Sequence, residues 1–453
     1  MSIKFNNTHN PILPLEYHIP DSEGHVMPDG RLYIYGSFDD RGDIYCSEKY
    51  HVVSTANMKE WTLHDISFEG KDVPWFDDPD APKYPGIDWS CPTPFIRKML
   101  ENMDMAGEKE KFESKEDEVR PPLLFAPDCI FRNGKYYLYF CMPDDSEGVA
   151  VSDSPEGPFV NPVQLPCGGI DPAVFMDDDG QAYFYWGQLF SHGVKMNTDM
   201  VSFDADTIID DLVTEEEHFF HEGSSMRKIG DTYYYVYADM ERGKPTSLGY
   251  ATGKSPLGPF TYQGIIIDND GCDPASWNNH GSIECVNGQW YVFYHRCSRG
   301  VQQYRRLCIE PITINADGTI DEVKMTSQGP GEPFGAGEII YGYQACGLSG
   351  RMYIDTDGQG SEHLTHIAEG DRAVFRYVKS ESGFTNIVIE AEGTGEIEVL
   401  LDGNCVGNVR ITEDGKTEAT VDKTSGDKME AELHFLKAQE LHIKNIIFHE
   451  AKE

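Results

Sequence analysis

The chain has 453 residues, 39% of them hydrophobic and 12% aromatic, enough to bury a large core in more than one domain. A formal net charge of −40 repels phosphate backbones and anionic lipid, which argues against nucleic-acid and membrane partners but says nothing against a neutral ligand such as a sugar. No apolar run approaches the roughly 20 residues of a membrane span, and MSIKFNNTHNPILPLEYHIPD at the start holds no secretion-signal core.

The 11 cysteines are scattered singly without ligand spacing. Cys46, Cys129, Cys141, Cys285, Cys297, Cys308 and Cys405 sit in or beside apolar runs and read as buried reduced thiols, so a cytoplasmic setting is expected. Taken in order, the chain then repeats itself. A glycine, a short polar turn and an aromatic run recur as GRLYIYGS (30–37), GKYYLYFC (134–141), GQAYFYWG (180–187), GDTYYYVYA (230–238) and GQWYVFYH (288–295). Each copy reads as a turn followed by a strand. SPEGPF (154–159) and SPLGPF (255–260) follow two of them, with NMKEW (57–61) at the matching place in the first.

A unit of roughly 45–60 residues with several strands predicts a five-bladed β-propeller over residues 1–325. A β-sandwich with aromatic hairpins is the alternative. The first interval is about twice as long as the others. Its extra stretch, 70–122, is rich in Asp, Pro, Lys and Glu and reads as a rim insertion. Within it, 106–118 has the best helical periodicity before residue 326, though it is highly charged. Residues 326–345 are rich in Gly and Pro and read as a linker or a segment lying along the surface. From 346 to 453 short alternating runs such as RAVFRYV, NIVIEAE and ELHIKNIIFHE predict a jelly-roll-like β-sandwich. The fold class is therefore all-β, in two domains.

Three carboxylates stand at turn-like sites before aromatic strands: Asp21, Asp128 and Glu222. Alone, each could be a solvated or turn-stabilising acid. In a propeller, the loops entering the innermost strands lie on one face, so carboxylates from different blades converge. Paired carboxylates across a pocket are the apparatus of glycoside hydrolysis.

APDCI before NGKYYLYF, IDPAVFMDDDGQAYFYWG, EGSSMRK before GDTYYYVY, the two SPxGPF motifs and HGSIECVNGQWYVFYHR together resemble the family 43 glycoside hydrolases. The resemblance covers most of the first 325 residues. It implies a five-bladed propeller acting by inversion on arabinose- and xylose-containing saccharides. By position it implies Asp21 as general base, Glu222 as general acid and Asp128 as the carboxylate that tunes the acid. Here Pro20 precedes Asp21, where the family usually shows Asp-Pro; Asp39 and Asp40 follow the strand and are poorer candidates for the base. Asp171 of IDPAVF resembles a usually structural aspartate and is left out of the catalytic set. Asp177-Asp178-Asp179-Gly180 reads as a tight turn rather than a calcium loop.

His280 is expected at the propeller axis, meeting water or a calcium ion, or else as a hydrogen-bonded core histidine. The calcium would be structural, since the chemistry needs no cofactor. Arg305 is expected to contact sugar hydroxyls or the modulating carboxylate, or to form a plain salt bridge. Residues 346–453 resemble a family 6 carbohydrate-binding module through EVLLDGNCVGNV and ELHIKNIIFHE. Tyr353, Phe375, Tyr377, Phe384, Phe435 and Phe448 are its candidate stacking rings; a buttress without sugar affinity is the alternative. The leading expectation is an α-L-arabinofuranosidase on arabinoxylan-derived or arabino-oligosaccharides. β-Xylosidase, an inactive sugar-binding propeller and a protein-binding scaffold are the alternatives.

Overall fold

Each aromatic repeat forms the second strand of an antiparallel blade in the structure, a computed structural model that describes residues 2–76, 78–84, 86, 93–94, 96–98 and 121–451. Blade one comprises β1 (Ile3–Asn6), β2 (Glu23–Val26), β3 (Leu32–Tyr35), β4 (Lys49–Thr55) and β5 (Glu60–Glu69), with β1 added outside β5. Blade two comprises β6 (Asp128–Arg132), β7 (Lys135–Cys141), β8 (Ser146–Ser152) and β9 (Val160–Gly168). Blade three has β10 (Ala173–Met176), β11 (Ala182–Trp186) and β12 (His192–Lys195). Blade four has β13 (Phe220–Ile229), β14 (Thr232–Asp239), β15 (Ser247–Gly253) and β16 (Phe260–Asp268). Blade five has β17 (Ser282–Val286), β18 (Gln289–Ser298) and β19 (Val301–Ile312).

The aromatic strands β3, β7, β11, β14 and β18 are not innermost, as the sequence reading assumed. The strands that ring the axis are β2, β6, β10, β13 and β17, with neighbours in contact. Successive strand residues point to opposite faces, and each second strand has a blade on both sides. Tyr183 and Tyr185 pack toward blade four, while Phe184 and Trp186 pack toward blade two. Both faces must therefore be apolar, which is why these runs are aromatic throughout instead of alternating. The SPxGPF motifs also acquire a reason. Tyr35 and Tyr185 donate their hydroxyls to the carbonyls of Pro155 and Pro256, at 2.7 and 2.8 Å, so a ring on one blade pins a turn on the next.

The ring closes where Ser22 bridges Gly281 in parallel. The Ser282 hydroxyl donates to Ser22 O at 2.9 Å and accepts from Gly24 N at 3.1 Å. Asn10 adds a second closure, exchanging hydrogen bonds with the backbone of Ile309.

The axis below this seam is filled by charge. Arg227 donates to Glu23 at 3.0 Å and to Glu284 at 3.1 Å, joining blades four, one and five. Asp128 binds His25 Nε2 at 2.6 Å and accepts from Cys129 N at 2.6 Å and Val174 N at 2.7 Å, joining blades two, one and three.

In the second domain, β20 (Ile340–Tyr341), β21 (Gly347–Leu348), β22 (Tyr353–Thr356), β23 (Glu362–Thr365), β24 (Arg372–Leu401), β25 (Asn404–Ile411) and β26 (Gly415–Glu450) form one nearly closed sheet. β24 lies between two arms of β26: Ala391 pairs with both Gly415 and Ile443. Phe375, Phe384, Phe435 and Phe448 are buried in its core and cannot stack on sugar. Tyr353 stacks on His366, and Tyr377 lies under the Lys428 ammonium. Residues 326–345 are not a free linker: Phe334 and Ile340 belong to this core, and β20 pairs with β26. The described cysteines are all free thiols, but Cys405 is exposed and Cys285 half-buried, against the expectation of burial for both. The expected rim insertion at 70–122 lies largely, and the helical stretch 106–118 entirely, outside the described residues. No described helix is long and apolar enough to cross a membrane.

Removing the Asp128 carboxylate strands His25 and two backbone donors. We predict that Asp128→Ala loses about 3–5 kcal/mol of stability by urea unfolding, the usual effect of breaking a buried pair. Burial opposes the charge on His25, but Asp128 raises its pKa above 6.5. Its stabilisation is therefore complete below the ordinary imidazole value and fades as pH rises through the raised one. The difference between wild type and the variant should shrink at alkaline pH.

Candidate active site

At one end of the axis the chain leaves a cavity of about 340 Å³. It is lined by Asp21, Tyr45, Cys46, Phe125, Ala126, Ile170, Asp171, Gln188, His221, Glu222, Trp277, Asn278, His280 and Arg305. Of the five residues singled out from the sequence, Asp21, Glu222, His280 and Arg305 meet here. Asp128 does not. It heads strand β6, 1% exposed, with both oxygens committed to the axial network, so it is corrected to a structural pin. The third carboxylate in the cavity is Asp171, which the sequence reading had set aside.

Backbone conformation separates the two aspartates. Asp21 (φ 54°) and Asp171 (φ 58°) both adopt the left-handed region, uncommon outside glycine and concentrated at functional sites. Asp128 lies in regular strand. Asp21 sits just before β2 and Asp171 just before β10, so corresponding loops of blades one and three deliver them.

Glu222 is delivered differently. It lies inside β13, not in a loop before a strand. The register of β13 against β14 slips between Glu222 and Ser225, where Glu222 faces Ala238 and Ser225 faces Val236. The extra residue is a β-bulge, a device that re-aims a side chain. Gly223 makes it possible, with φ +73°; a Cβ there would fall 2.8 Å from the His280 ring. The Gln188 side-chain amide donates to Glu222, and His221 Nε2 is 3.8 Å away.

His280 stands between the acids, with Nδ1 3.8 Å from Asp21 Oδ1 and 3.8 Å from Asp171 Oδ2. Arg305, 3% exposed, donates to Asp21 Oδ1 at 2.7 Å. It also grips Asp39 through both carboxylate oxygens, at 2.9 and 3.0 Å. The Ser37 hydroxyl donates to Asp21 Oδ2 at 2.6 Å. The salt-bridge alternative for Arg305 is thus realised within a cavity wall.

These contacts divide the carboxylates electrostatically. Burial pushes Asp21 up, but Arg305, the two histidines and Ser37 outweigh it and hold Asp21 below the ordinary aspartate value. Burial lowers His280, and lowers His295 to about 3, so both rings are neutral near pH 7 and Arg305 carries the effect. Asp171 moves the other way. Burial, then the Glu222 and Asp21 carboxylates, raise it well above the ordinary value. Asp171 therefore takes up a proton more readily than Asp21, which Arg305 keeps ionised.

At His280 the ring offers one nitrogen and Asp21 Oδ1 beside it is bound to Arg305, so a calcium ion there would take most of its six to eight oxygens from water. Among the described residues the trio with metal-ligand spacing is Glu23, His25 and Asp128. Arg227 already pairs with Glu23, and the Asp128 oxygens are taken, so that trio does not suit a cation. Tyr45, Gln188, His221, Trp277 and Asn278 carried no sequence signal. Trp277, 39% exposed, contributes to the cavity lining.

Residues 98–320 match the sequence profile of glycosyl hydrolases family 43. The chain is 31% identical over 401 residues to a xylosidase/arabinosidase of Thermoclostridium stercorarium, covering 78% of this chain and 74% of that protein. It is 31% identical to a β-xylosidase of Xylanibacter ruminicola, covering 69% and 98%. It is 27% identical to an arabinoxylan arabinofuranohydrolase of Bacillus subtilis strain 168, covering 87% and 81%. Among solved structures, a β-xylosidase/α-arabinofuranosidase from a compost microbial metagenome, in complex with xylotriose and in a calcium-free form, superposes with a TM-score of 0.53. It shares 28% identity and covers 71% of this chain and 99% of its own. An arabinoxylan arabinofuranohydrolase of Bacillus subtilis, in complex with cellotetraose, covers 98% and 97% at a TM-score of 0.51 and 22% identity, a likeness of fold across both domains.

Gly223→Ala should push His280 and Glu222 out of register. A displacement of about 1 Å costs about 100-fold in rate. We predict that loss in kcat/KM on nitrophenyl pentosides, accompanied by a lowered melting temperature, since an alanine at positive φ is strained.

Proposed function

The chain belongs to glycosyl hydrolase family 43, and on that premise we propose that it is an inverting exo-acting enzyme removing terminal α-L-arabinofuranosyl units from arabinoxylan-derived or arabino-oligosaccharides. It is an O-glycosyl hydrolase with carbohydrate substrates. The observation that carries the mechanism is the placing of three carboxylates in one cavity, with Asp21 paired to Arg305 and Glu222 accompanied by Asp171.

Asp21 then acts as general base. It takes a proton from water, whose oxygen attacks the anomeric carbon from the face opposite the leaving group. Glu222, half-buried and turned to the cavity by its bulge, gives its proton to the departing glycosidic oxygen. Water is added across the bond, the anomeric configuration inverts, the Asp21 proton returns to solvent, and Glu222 takes a proton back from solvent before the next turnover. Asp171 replaces Asp128 as the carboxylate that keeps the acid charged with its proton, by like-charge proximity. His280, neutral, occupies the space between base and modulator. Arg305 has Nη1 on Asp21 and both Nε and Nη2 on Asp39, so its part is to hold the base rather than to fork onto vicinal sugar hydroxyls.

The cavity lies at the small end of the range for ligand sites, about 300–1,000 Å³, which suits a single terminal sugar rather than an internal stretch of polymer. The arabinofuranosyl reading is supported by the arabinofuranohydrolase relative, which aligns over 87% of the chain. A β-xylosidase is the second reading, favoured by the Xylanibacter ruminicola relative of that name at 31% identity.

Higher kcat/KM on nitrophenyl β-xylopyranoside than on nitrophenyl α-L-arabinofuranoside selects the second reading. Proton NMR of the first-formed anomer should show inversion. Glu222→Gln should lose activity by at least about 10³-fold with binding retained. Asp171→Asn removes the like charge, so the acid's proton leaves earlier and the basic limb of the kcat/KM profile should move to lower pH. An unmoved basic limb would reject Asp171 as modulator.

A further inference from the structure

Arg305 reaches Asp21 from β19, and the next residue on that strand points the other way. Arg306, 3% exposed, leaves the cavity side and enters the second domain. There Glu362, at the start of β23 and 2% exposed, accepts from it. The other oxygen of Glu362 accepts from Arg299 Nη2 at 3.0 Å and Nε at 3.3 Å. Arg299 begins the turn between β18 and β19, and its backbone N–H donates to Ile354 O of β22 at 2.7 Å. Its guanidinium lies 4.3 Å from the centre of the Tyr304 ring, one residue before Arg305. Gly300, the other turn residue, lies against the Tyr353 ring. The β22–β23 hairpin of the second domain thus grips both the turn and the strand that carry Arg305.

We propose that Glu362 is a positioning residue for catalysis, acting from the second domain by clamping Arg299 and Arg306 so that Arg305 is held against Asp21. This rests on the assignment of Asp21 as the base. The clamp has the chemistry such a role requires. Two guanidiniums at a domain seam, one of them almost wholly buried, are stable there only with a carboxylate between them. Arg305 spans Asp39 and Asp21 with fixed fork geometry, so a small rotation of β19 breaks one pair before the other. The second domain then contributes to the chemistry through the seam, not through sugar binding.

The groups facing Asp21 are Arg305, His280, His295, Asp39, Asp171 and Cys46, and among them Arg305 is the permanent cation. If the clamp loosens, Asp21 loses that cation and titrates higher. The test is the pH profile of kcat/KM for the full chain with Glu362→Gln and, separately, Arg299→Met, which leaves the Arg306 pair intact. The acid limb should rise by about one pH unit in Glu362→Gln, within the effect of one close opposite charge, and less in Arg299→Met. KM should stay within about twofold. A domain that merely props the fold would lower the melting temperature and leave the acid limb in place; that result in either folded variant overturns the proposal. Should Glu362→Gln fail to fold, Arg299→Met decides alone. Asp21→Asn separates the two layers. If it keeps its activity, the base assignment falls. If it is inactive while the acid limbs of the clamp variants stay unmoved, the clamp alone falls.

Discussion

The Arg305 guanidinium against Asp21 and Asp39 is the contact on which the rest depends. A carboxylate 5% exposed among neutral rings would take up a proton, and the proposed base would be lost. One buried arginine prevents that for Asp21, and its second partner, Asp39, fixes the direction from which the charge is applied. The strand order makes this contact available, because blade five closes onto blade one. Arg305 on the outer strand of the last blade meets aspartates from the first blade, more than 260 positions earlier.

The two ends of the axis use like materials for opposite purposes. At the cavity end, carboxylates are left in excess over cations, and Asp171 is pushed toward its protonated form. Deeper in, Arg227 and His25 answer Glu23, Glu284 and Asp128, and the acids serve as fasteners between blades. Asp128 and Asp171 differ in which of these ends they occupy. Each stands at the entry to the inner strand of its blade, in APDCI and IDPAV, and the local sequences look equivalent.

That equivalence is why the site was only partly legible. The five repeats identified the propeller because buried strands between two blades must be aromatic on both faces, a demand strong enough to read residue by residue. Asp21, Glu222, His280 and Arg305 followed from motif position. The choice between Asp128 and Asp171 depends on a left-handed backbone at one and a strand at the other, and on Val174 N–H reaching across from the next blade; neither leaves a mark in composition or spacing. Glu222 was read as a loop residue because a bulge does not interrupt the sequence of a strand. Glu362 gave no signal either. It is one acid in an acidic chain, and its meaning comes from two arginines that lie some 60 residues away. In the second domain the alternation was legible but did not tell core rings from stacking rings, since buried phenylalanines and exposed aromatics share a pattern.

The seam at Ser22 and Ser282 also bears on how the molecule comes into being. These serines are 260 positions apart, and the first blade's inner strand, paired on one side with β3, has no neighbour on its other side at this seam until the last blade is made. During synthesis the nascent ring must wait as an open arc with a bare strand edge, a template for pairing with other chains. Its early tyrosine-rich blades add locally, one hairpin on another, yet the catalytic pocket comes into existence only when the ribosome has delivered nearly all of the propeller. Birth order therefore makes the enzyme all-or-nothing: a truncated product short of blade five would be without the arginine as well as the closure, and so without even a weakened activity.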